Sequence, residues 1–476
     1  MRLPAWLILL FFALSIRIIS IWNCELSGPD EPRVAGIARE MAITGNYFIP
    51  RLNGEDFLEY PPLGYLPIVL SLSASEKPSD FLAFFPIALI GTGTILLTFL
   101  IGRALAGERV GLTAGFILSM MSGFFILHRR CLVDPMLLFF ITLSLYGFVK
   151  GHQCTRKSSH FLAIFYLAMA GGFLSKGLIG LGIPAVTAAA FLIWSKDFSG
   201  IRKLRLGWGI LLFLLPISLW AGGVWWLEGP GHLEEIIWQS LWRFFSSSAD
   251  HAHPFYFYLI PTFLNLLPWT PLPLILLWKR YGSSREKELS SEDLLAIFAL
   301  SWLLSAFIGL SLASAKRVLY LGPVFPPFAL LSALAWDRIR EKFPEVKRRE
   351  VPGLIALFVI FIGIHFFQLL PSERQDSLRP VFRVVANKSD HGPIRLCNPS
   401  EAIRGAAFFY LGKRIPMLKN QELSVENFEN SFGETLVINL FGMNDQLRGT
   451  LEAKGFRLLM QEKIGKMWVL VYSNSS

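Results

Sequence analysis

The sequence predicts a polytopic α-helical membrane protein with about 11–13 transmembrane helices and a small C-terminal α/β extracytoplasmic domain. Hydrophobic residues make up 53% of the chain and charged residues only 17%, whereas soluble domains carry about 25% charged residues. Apolar runs recur up to Leu370, and ordinary soluble sequence follows. We therefore expect a membrane-embedded domain over residues 1–371 and a soluble domain over residues 372–476.

The apolar runs account for the helices of the membrane domain. A spanning helix needs about 20 mostly apolar residues, and eleven runs meet or approach this length. They are residues 3–21, 81–101, 110–127, 136–149, 161–174, 178–194, 206–227, 255–278, 294–312, 318–336 and 351–370. The first run is expected to remain as an uncleaved helix, because Arg17 interrupts it and no small-x-small cleavage site follows.

The charge pattern sets an expected orientation. The formal net charge is +10, and the basic residues collect in short loops between the apolar runs. With these eleven spans, five basic loops fall on one side, which the positive-inside rule makes cytoplasmic. The excess of basic residues is therefore explained by the membrane topology, and nucleic acid is not expected as a partner. The four cysteines show no CxxC spacing, so they give neither a disulfide framework nor a zinc knuckle.

The same topology gathers polar segments on the external side. These are the first external loop, residues 23–62, and the junctions at residues 128–134, 175–177, 228–254 and 315–320. Segments that are far apart in sequence thus meet at one membrane face. This predicts a single functional site at the external face of the membrane.

The first external loop carries two adjacent carboxylates, Asp30 and Glu31. A carboxylate at the mouth of a membrane cavity can act as a general base and take a proton from an acceptor hydroxyl. The alternative is that Asp30 caps a helix that starts here and runs through Glu40, since Asp is a favoured N-cap residue. The two interpretations are compatible.

Glu59 and Tyr60 directly precede a Pro-Pro pair, which fixes an extended backbone. A glutamate held in one place and facing His251 and His253 is a candidate ligand for a divalent metal such as zinc, magnesium or manganese. The alternative is a solvated glutamate. The stretch 249–256 around these histidines also holds aromatic side chains, which either form an interfacial belt or stack on a sugar.

The positive-inside rule does not predict arginines and lysines on the external side, so their presence there requires another explanation. A phosphate headgroup supplies one, because it accepts charge-assisted hydrogen bonds from Arg and Lys. Snorkelling to ordinary anionic lipids is the alternative. The set comprises Arg33, Arg129, Arg130, Lys176, Lys316 and Arg317.

Asp134 stands close to two of these cations, at the point where a helix should begin. It is expected either to cap that helix or to form a structural ion pair with Arg129 or Arg130. We group Asp134, Arg129, Arg130 and His251 as acceptor-binding or structural residues.

Residues 372–476 contain short strand-like runs at 393–397, 435–440, 456–460 and 467–472. Helical stretches at 399–411 and 444–454 lie between some of them. The alternation predicts a small α/β domain. It carries no nucleotide-binding glycine fingerprint, so we expect a lid or a module on the acceptor side.

The run DEPRVAGIAREMAITGNYFIPRLNGEDFLEYPPLGY in the first external loop resembles that of a known family. The family is the polyprenyl-phosphate-sugar-dependent glycosyltransferases of the GT-C superfamily. It includes the aminoarabinose transferases of lipid A modification and, more distantly, the protein O-mannosyltransferases. Further matching positions are Asp134, Ser175-Lys176-Gly177, His253-Pro254, Pro268-Trp269 and Lys316-Arg317 ahead of Tyr320.

The resemblance implies a membrane glycosyltransferase that moves a sugar from an undecaprenyl phosphate donor to a lipid or glycolipid acceptor such as lipid A, at the outer face of the inner (plasma) membrane. It implies that Asp30, with Glu31 beside it, is the catalytic carboxylate, and that Glu59 and His253 are the candidate metal ligands. The residues implied for the donor phosphate are Arg33, Tyr60, Lys176, Lys316, Arg317 and Tyr320.

One position departs from the family pattern. The family often has Lys where Tyr60 stands, and a tyrosine donates a hydrogen bond but supplies no charge. Either Lys176, Lys316 or Arg317 compensates, or the donor geometry differs, which weakens the case for an aminoarabinose donor in particular. Three alternatives stay open: a protein O-glycosyltransferase with the same donor class, a lipid-linked sugar transporter or flippase, and a non-catalytic assembly factor.

Overall fold

The computed structural model describes residues 4–154, 157–245, 253–280, 289–388, 392–418, 434–440 and 445–474. The chain packs into two compact units. The membrane unit comprises Met1–Ser20, Leu58–Gly64 and Ile87–Ile362, and the composite unit comprises Ile21–Phe57, Tyr65–Pro86 and Gly363–Ser476. The composite unit therefore joins most of the first external loop to the C-terminal segment.

The α-helices among these residues are numbered in chain order. They are α1 (Ala5–Ile21), α2 (Glu31–Thr44), α3 (Leu66–Leu72), α4 (Asp80–Ala106), α5 (Glu108–Ser119), α6 (Ser122–Leu127), α7 (Asp134–Gln153), α8 (Ser158–Lys176), α9 (Leu178–Trp194), α10 (Ser199–Lys203), α11 (Leu206–Glu228), α12 (Pro230–Phe245), α13 (Leu259–Asn265), α14 (Pro271–Arg280), α15 (Ser291–Leu312), α16 (Phe325–Lys342), α17 (Pro344–Ile364), α18 (Leu370–Gln375), α19 (Arg379–Lys388), α20 (Glu401–Leu411) and α21 (Asp445–Ala453).

The predicted multi-pass helical class is confirmed. Among the described residues, seven helical segments are long and apolar enough to cross a membrane, and α1 and α9 are shorter apolar helices. All eleven predicted runs are helical over most of their length. The run at 110–127 is divided between α5 and α6, and the run at 255–278 begins with a 3₁₀ helix and is divided between α13 and α14. The run at 318–336 begins with a 3₁₀ helix, Val318–Val324, and the run at 351–370 ends in a π-helical segment, His365–Leu369.

Arg17 shows how the break between α5 and α6 is tolerated. Its buried guanidinium donates from Nη2 to the Ser119 carbonyl at 2.7 Å and from Nη1 to the Phe124 carbonyl at 3.4 Å. Carbonyls freed by a broken helix need donors where water is absent. The guanidinium also lies 5.2 Å from the ring centroids of Phe124 and Phe125, which favours a buried cation. The charge that interrupts the first apolar run is therefore structural.

Phe148 of α7 anchors the core of the membrane unit. Its ring centroid lies 5.7 Å from Phe165 of α8, 5.8 Å from Phe191 of α9 and 6.4 Å from Phe298 of α15. Aromatic pairs at these separations are favourable beyond their buried area. One side chain thus ties four helices together, and two of them, α7 and α8, carry Asp134 and Lys176 at their ends.

The strands are β1 (Arg51–Leu52), β2 (Glu55–Asp56), β3 (Ile394–Cys397), β4 (Met417–Leu418), β5 (Thr435–Leu440), β6 (Arg457–Ile464) and β7 (Met467–Ser473). The last five form one sheet in the order β4-β3-β5-β7-β6. Strand β3 is parallel to β4 and β5, whereas β7 is antiparallel to β5 and β6. The four predicted strands and the C-terminal α/β domain are confirmed. Strand β4 was missed because only two residues pair.

Polar contacts join the loop and C-terminal parts of the composite unit. Asn53 and Ile415 exchange two hydrogen bonds: Asn53 Nδ2 donates to the Ile415 carbonyl at 2.8 Å, and the Ile415 amide donates to Asn53 Oδ1 at 2.9 Å. Tyr410 donates to Asp80 at 2.9 Å. The C-terminal segment therefore determines the shape of the loop that carries Asp30.

Candidate active site

Asp30 is the residue immediately before α2 in the composite unit. Its backbone is already helical (φ −95°, ψ −39°), and its side chain makes no capping hydrogen bond. Oδ1 instead accepts a hydrogen bond from Arg33 Nη2 at 2.7 Å, one helical turn later. The predicted helix is present and Asp30 occupies its N-cap position, but the side chain does not make the capping hydrogen bond. What the structure shows is a buried carboxylate paired with an arginine.

Glu31, next to it, has a different environment. Its Oε2 accepts hydrogen bonds from the Ser27 amide at 2.9 Å and from Ser27 Oγ at 3.3 Å, and the residue is buried. These bonds close the turn that leads into α2. The local geometry gives Glu31 a structural use, and it distinguishes two carboxylates that look equivalent in the sequence.

Lys176 is the last residue of α8 in the membrane unit, and its ammonium group pairs with Asp134 Oδ1. Lys176 Nζ also lies 3.9 Å from the ring centroid of Tyr320 and 5.3 Å from that of Tyr60. Both partners of the ion pair are largely buried, with side-chain exposures of 5% and 12%. Three residues that the sequence predicted for donor phosphate binding are therefore close neighbours.

Asp134 is the first residue of α7, and Val133 occupies the N-cap position. The capping role considered for Asp134 is therefore wrong. The structural ion pair is present, with Lys176 as a partner that the sequence did not suggest. A carboxylate here holds the ammonium group in one position, which a flexible lysine needs if it is to meet a ligand in a fixed geometry.

The segment between α15 and α16 carries Lys316 and Arg317. Lys316 Nζ donates to the carbonyls of His253, at 2.9 Å, and of Ala313, and burial lowers the pKa of Lys316. The Tyr258 hydroxyl donates a hydrogen bond to the Arg317 carbonyl and accepts one from the Arg317 amide, each at 3.3 Å. Two ammonium hydrogens of Lys316 thus fix the loop rather than point to a ligand.

The other predicted cations are placed differently. Arg129 is buried, and its Nε donates to the Ser20 carbonyl at 3.4 Å. Arg130 follows it and is half-buried. His251 lies outside the described residues.

The residues predicted as metal ligands are Glu59, which is half-buried, and His253. The exposed His253 ring stacks on Phe257, with ring centroids 4.3 Å apart and an interplanar angle of 11°. Nowhere in the described ranges do three or more His, Cys, Asp or Glu side chains cluster as metal ligands would. A bound ion normally needs such a set, and because His251 lies outside the described residues, the metal site stays a prediction. No step is assigned to a metal.

Sequence reasoning missed two residues of these clusters. Tyr258 is fully buried and lies close enough to Lys176 and Asp134 for their charges to act on its hydroxyl. The aromatic run that contains it was the only available signal. Glu401 of α20 pairs with Arg33 at 2.6 Å, and nothing in the sequence connects a C-terminal glutamate with the first loop.

The membrane unit also contains a cavity of about 1370 Å³. It is lined mainly by residues of α5 and α17 and of the segment at the start of α14. Among the cavity residues is Arg109, in one of the predicted cytoplasmic loops. None of the predicted site residues lines it, so the cavity is separate from the clusters described above.

Three comparisons with known proteins bear on this arrangement. The family model described as dolichyl-phosphate-mannose-protein mannosyltransferase matches residues 59–222. The undecaprenyl phosphate-α-4-amino-4-deoxy-L-arabinose arabinosyl transferase of Aeromonas salmonicida is 28% identical over 406 residues, covering 83% of this chain and 70% of that protein. Transferase 2 of the same name from Proteus mirabilis is 27% identical over 382 residues, covering 78% of this chain and 66% of that protein.

Solved structures share the fold. The structure of ArnT from Cupriavidus metallidurans bound to undecaprenyl phosphate matches with a TM-score of 0.78 at 17% identity, covering 98% of each chain. An oligosaccharyltransferase from Archaeoglobus fulgidus matches with a TM-score of 0.52 at 13% identity, covering 99% of this chain and 73% of that one. The resemblance predicted from the first loop is confirmed, and so is the fold class.

Proposed function

We propose that this chain, which shares the fold of ArnT and resembles the aminoarabinose transferases over most of its length, is an integral membrane glycosyltransferase. The donor is a sugar linked to undecaprenyl phosphate, and the acceptor is a membrane lipid such as lipid A. The observation that carries the proposal is the buried Lys176–Asp134 pair beside the rings of Tyr60 and Tyr320. It combines one fixed cation with two phenol hydroxyls, the donors that a sugar phosphate requires.

The position of Lys176 also bears on position 60, where this chain has tyrosine and the family often has lysine. A family member with lysine at that position would have its positive charge there, and in this chain Lys176 Nζ lies 5.3 Å from the Tyr60 ring. Helix α8 therefore places a positive charge beside Tyr60. Lys176 is itself a position that matches the family, so it does not replace the missing lysine, but its charge keeps an aminoarabinose donor in the proposal.

The reaction follows from these roles. An oxygen of the acceptor attacks the anomeric carbon of the sugar and forms the new glycosidic bond. The bond from that carbon to the phosphate oxygen breaks, and undecaprenyl phosphate leaves with the electron pair. In the membrane unit, Lys176 with Arg317 offsets the charge that develops on the phosphate. Asp30 takes the proton of the acceptor, as a general base, and Lys316 holds the Arg317 loop in place.

We infer that the active site and the domain at residues 372–476 are extracytoplasmic, with residues 1–371 as the embedded catalytic domain. The five basic loops on one predicted side support this orientation. Cys154, half-buried and just beyond α7, offers a test, because it falls on the predicted cytoplasmic side. A membrane-impermeant maleimide should label Cys154 only after cells are permeabilised, and labelling in intact cells would reverse the orientation.

The test of the activity is sugar transfer in proteoliposomes. The full-length protein is given radiolabelled undecaprenyl phosphate-aminoarabinose or undecaprenyl phosphate-mannose, with lipid A as the acceptor. We expect label to move to lipid A, and we expect Asp30→Asn to lower the rate by about 10²–10⁴-fold. Label that only crosses between leaflets would indicate a flippase instead, and full activity in Asp30→Asn would remove its assigned role.

A protein acceptor is the second candidate. The match of residues 59–222 to the protein mannosyltransferase family favours it. The same assay distinguishes the two functions if a mixture of periplasmic proteins replaces lipid A. Transfer of mannose to protein, without transfer to lipid A, would support the alternative.

A further inference from the structure

Helices α2 and α20 of the composite unit are in backbone contact through Gly36 and Gly405. A Cβ atom added to Gly36 would lie 2.4 Å from the Gly405 carbonyl oxygen, and one added to Gly405 would lie 2.3 Å from the Pro32 carbonyl oxygen. Real Cβ atoms do not approach backbone so closely, so only glycine permits this crossing. The N-terminal parts of α2 and α20 are therefore held against each other.

This crossing brings Glu401 to Arg33. Glu401 is the first residue of α20, directly after Ser400, whose hydroxyl accepts a hydrogen bond from the Ile403 amide at 3.4 Å and caps the helix. Glu401 Oε2 pairs with Arg33 Nη1 at 2.6 Å, and Asp30 Oδ1 pairs with Arg33 Nη2 at 2.7 Å. One guanidinium group is thus shared by two carboxylates from different parts of the chain.

The shared contact restricts the guanidinium group. Its donors form a rigid planar fork, so fixing Nη1 on Glu401 also fixes the direction in which Nη2 meets Asp30. The ring of Phe57, centred 5.4 Å from the guanidinium carbon, covers one face. Glu401 and Phe57 together thus restrict the direction from which the guanidinium meets Asp30.

We propose that Glu401 is a positioning residue for catalysis: it orients Arg33 and thereby sets the position of Asp30. The C-terminal domain then contributes a side chain to the catalytic machinery rather than only covering it. This inference rests on the proposed function of Asp30 as the general base.

Loss of the Glu401–Arg33 ion pair should affect the stability of the fold much less than the rate of transfer. The Glu401 side chain is 46% exposed, and ion pairs with exposed partners contribute little to stability. Replacing Glu401 by Gln should therefore leave the fold intact. A misplacement of a catalytic group by about 1 Å, by contrast, costs up to about 10²-fold in rate.

The chain offers a matched control. Glu55 pairs with Arg404 of α20 at 2.7 Å, and its side chain is 50% exposed. This pair also joins the first loop to α20, but it touches neither Asp30 nor Arg33 in the contacts described here. Glu55→Gln therefore removes an ion pair of the same kind and exposure without acting on the proposed base.

The experiment measures kcat and KM for sugar transfer in proteoliposomes with the full chain. We expect Glu401→Gln to lower kcat about tenfold with KM for the undecaprenyl phosphate donor within about twofold. Glu401→Asp should recover part of the loss. Glu55→Gln should match the wild type. In an Arg33→Gln background, Glu401→Gln should have no further effect, because it acts through Arg33.

Two outcomes would overturn the inference. One is an equal loss in Glu55→Gln and Glu401→Gln, which would mean that any loosening of this contact slows transfer. The other is a full additional loss in the Arg33→Gln background, which would mean that Glu401 acts independently. The variant Asp30→Asn shows which of the two roles fails. If it retains full activity, the proposed function of Asp30 as the general base is wrong. If it is inactive while Glu401→Gln is fully active, only the positioning role of Glu401 is wrong.

Discussion

Replacing Lys176 by Met tests whether this buried cation serves the fold, the reaction or both. The substitution keeps the volume of the side chain and removes its charge, leaving Asp134 without its ammonium partner. Breaking a buried ion pair from one side costs about 3–5 kcal/mol. Because the Asp134 side chain is 12% exposed, water can reach it, and we expect a loss near the lower end, about 3 kcal/mol.

The double variant Lys176→Met with Asp134→Asn separates stability from catalysis. It leaves no uncompensated charge, so we expect its unfolding free energy to return to within about 1 kcal/mol of the wild type. The phosphate cation is still missing. Transfer should therefore remain about 10²–10³-fold slower in both variants, the range for losing one group that stabilises transition-state charge.

Thermal unfolding in detergent and transfer in proteoliposomes measure the two quantities on the same preparations. The reasoning is refuted if the double variant recovers both stability and transfer, because Lys176 would then be needed only to neutralise Asp134. It is equally refuted if Lys176→Met alone transfers at the wild-type rate. Asp134→Asn alone should lower transfer less than Lys176→Met does, since it frees the ammonium group without removing it.

Three further predictions concern the composite unit and its thiol. Glu31→Gln should change kcat by less than about threefold, because its carboxylate accepts hydrogen bonds from Ser27, and a hundredfold loss would make it a catalytic residue after all. Gly36→Ala should lower the unfolding temperature and transfer together, since its Cβ would lie 2.4 Å from the Gly405 carbonyl oxygen; an unchanged melting curve would contradict that contact. Burial raises the pKa of the Cys397 thiol to about 12, so at pH 8 iodoacetamide should modify it only after unfolding, as read by mass spectrometry.

The sequence alone determined the fold class and most element positions. Length and apolarity are local properties, so all eleven runs lie on helices, and alternation with turn residues predicted four of the five strands in the C-terminal sheet. The first-loop motif predicted the resemblance to the aminoarabinose transferases, because matching residues at fixed spacing are visible without a structure. The basic loops likewise predicted an orientation, which stays a prediction until it is measured.

The tertiary structure decided how the charges are partnered. Asp30 and Glu31 are adjacent and chemically alike in the sequence, yet one faces Arg33 and the other closes a turn. The partners of Lys176 and Arg33 are Asp134 and Glu401, which come from other elements. Residues that are far apart in the sequence can be neighbours in the folded chain. Which carboxylate is a base and which cation is free to meet a phosphate therefore depends on helix crossings, such as the one at Gly36, that only packing reveals.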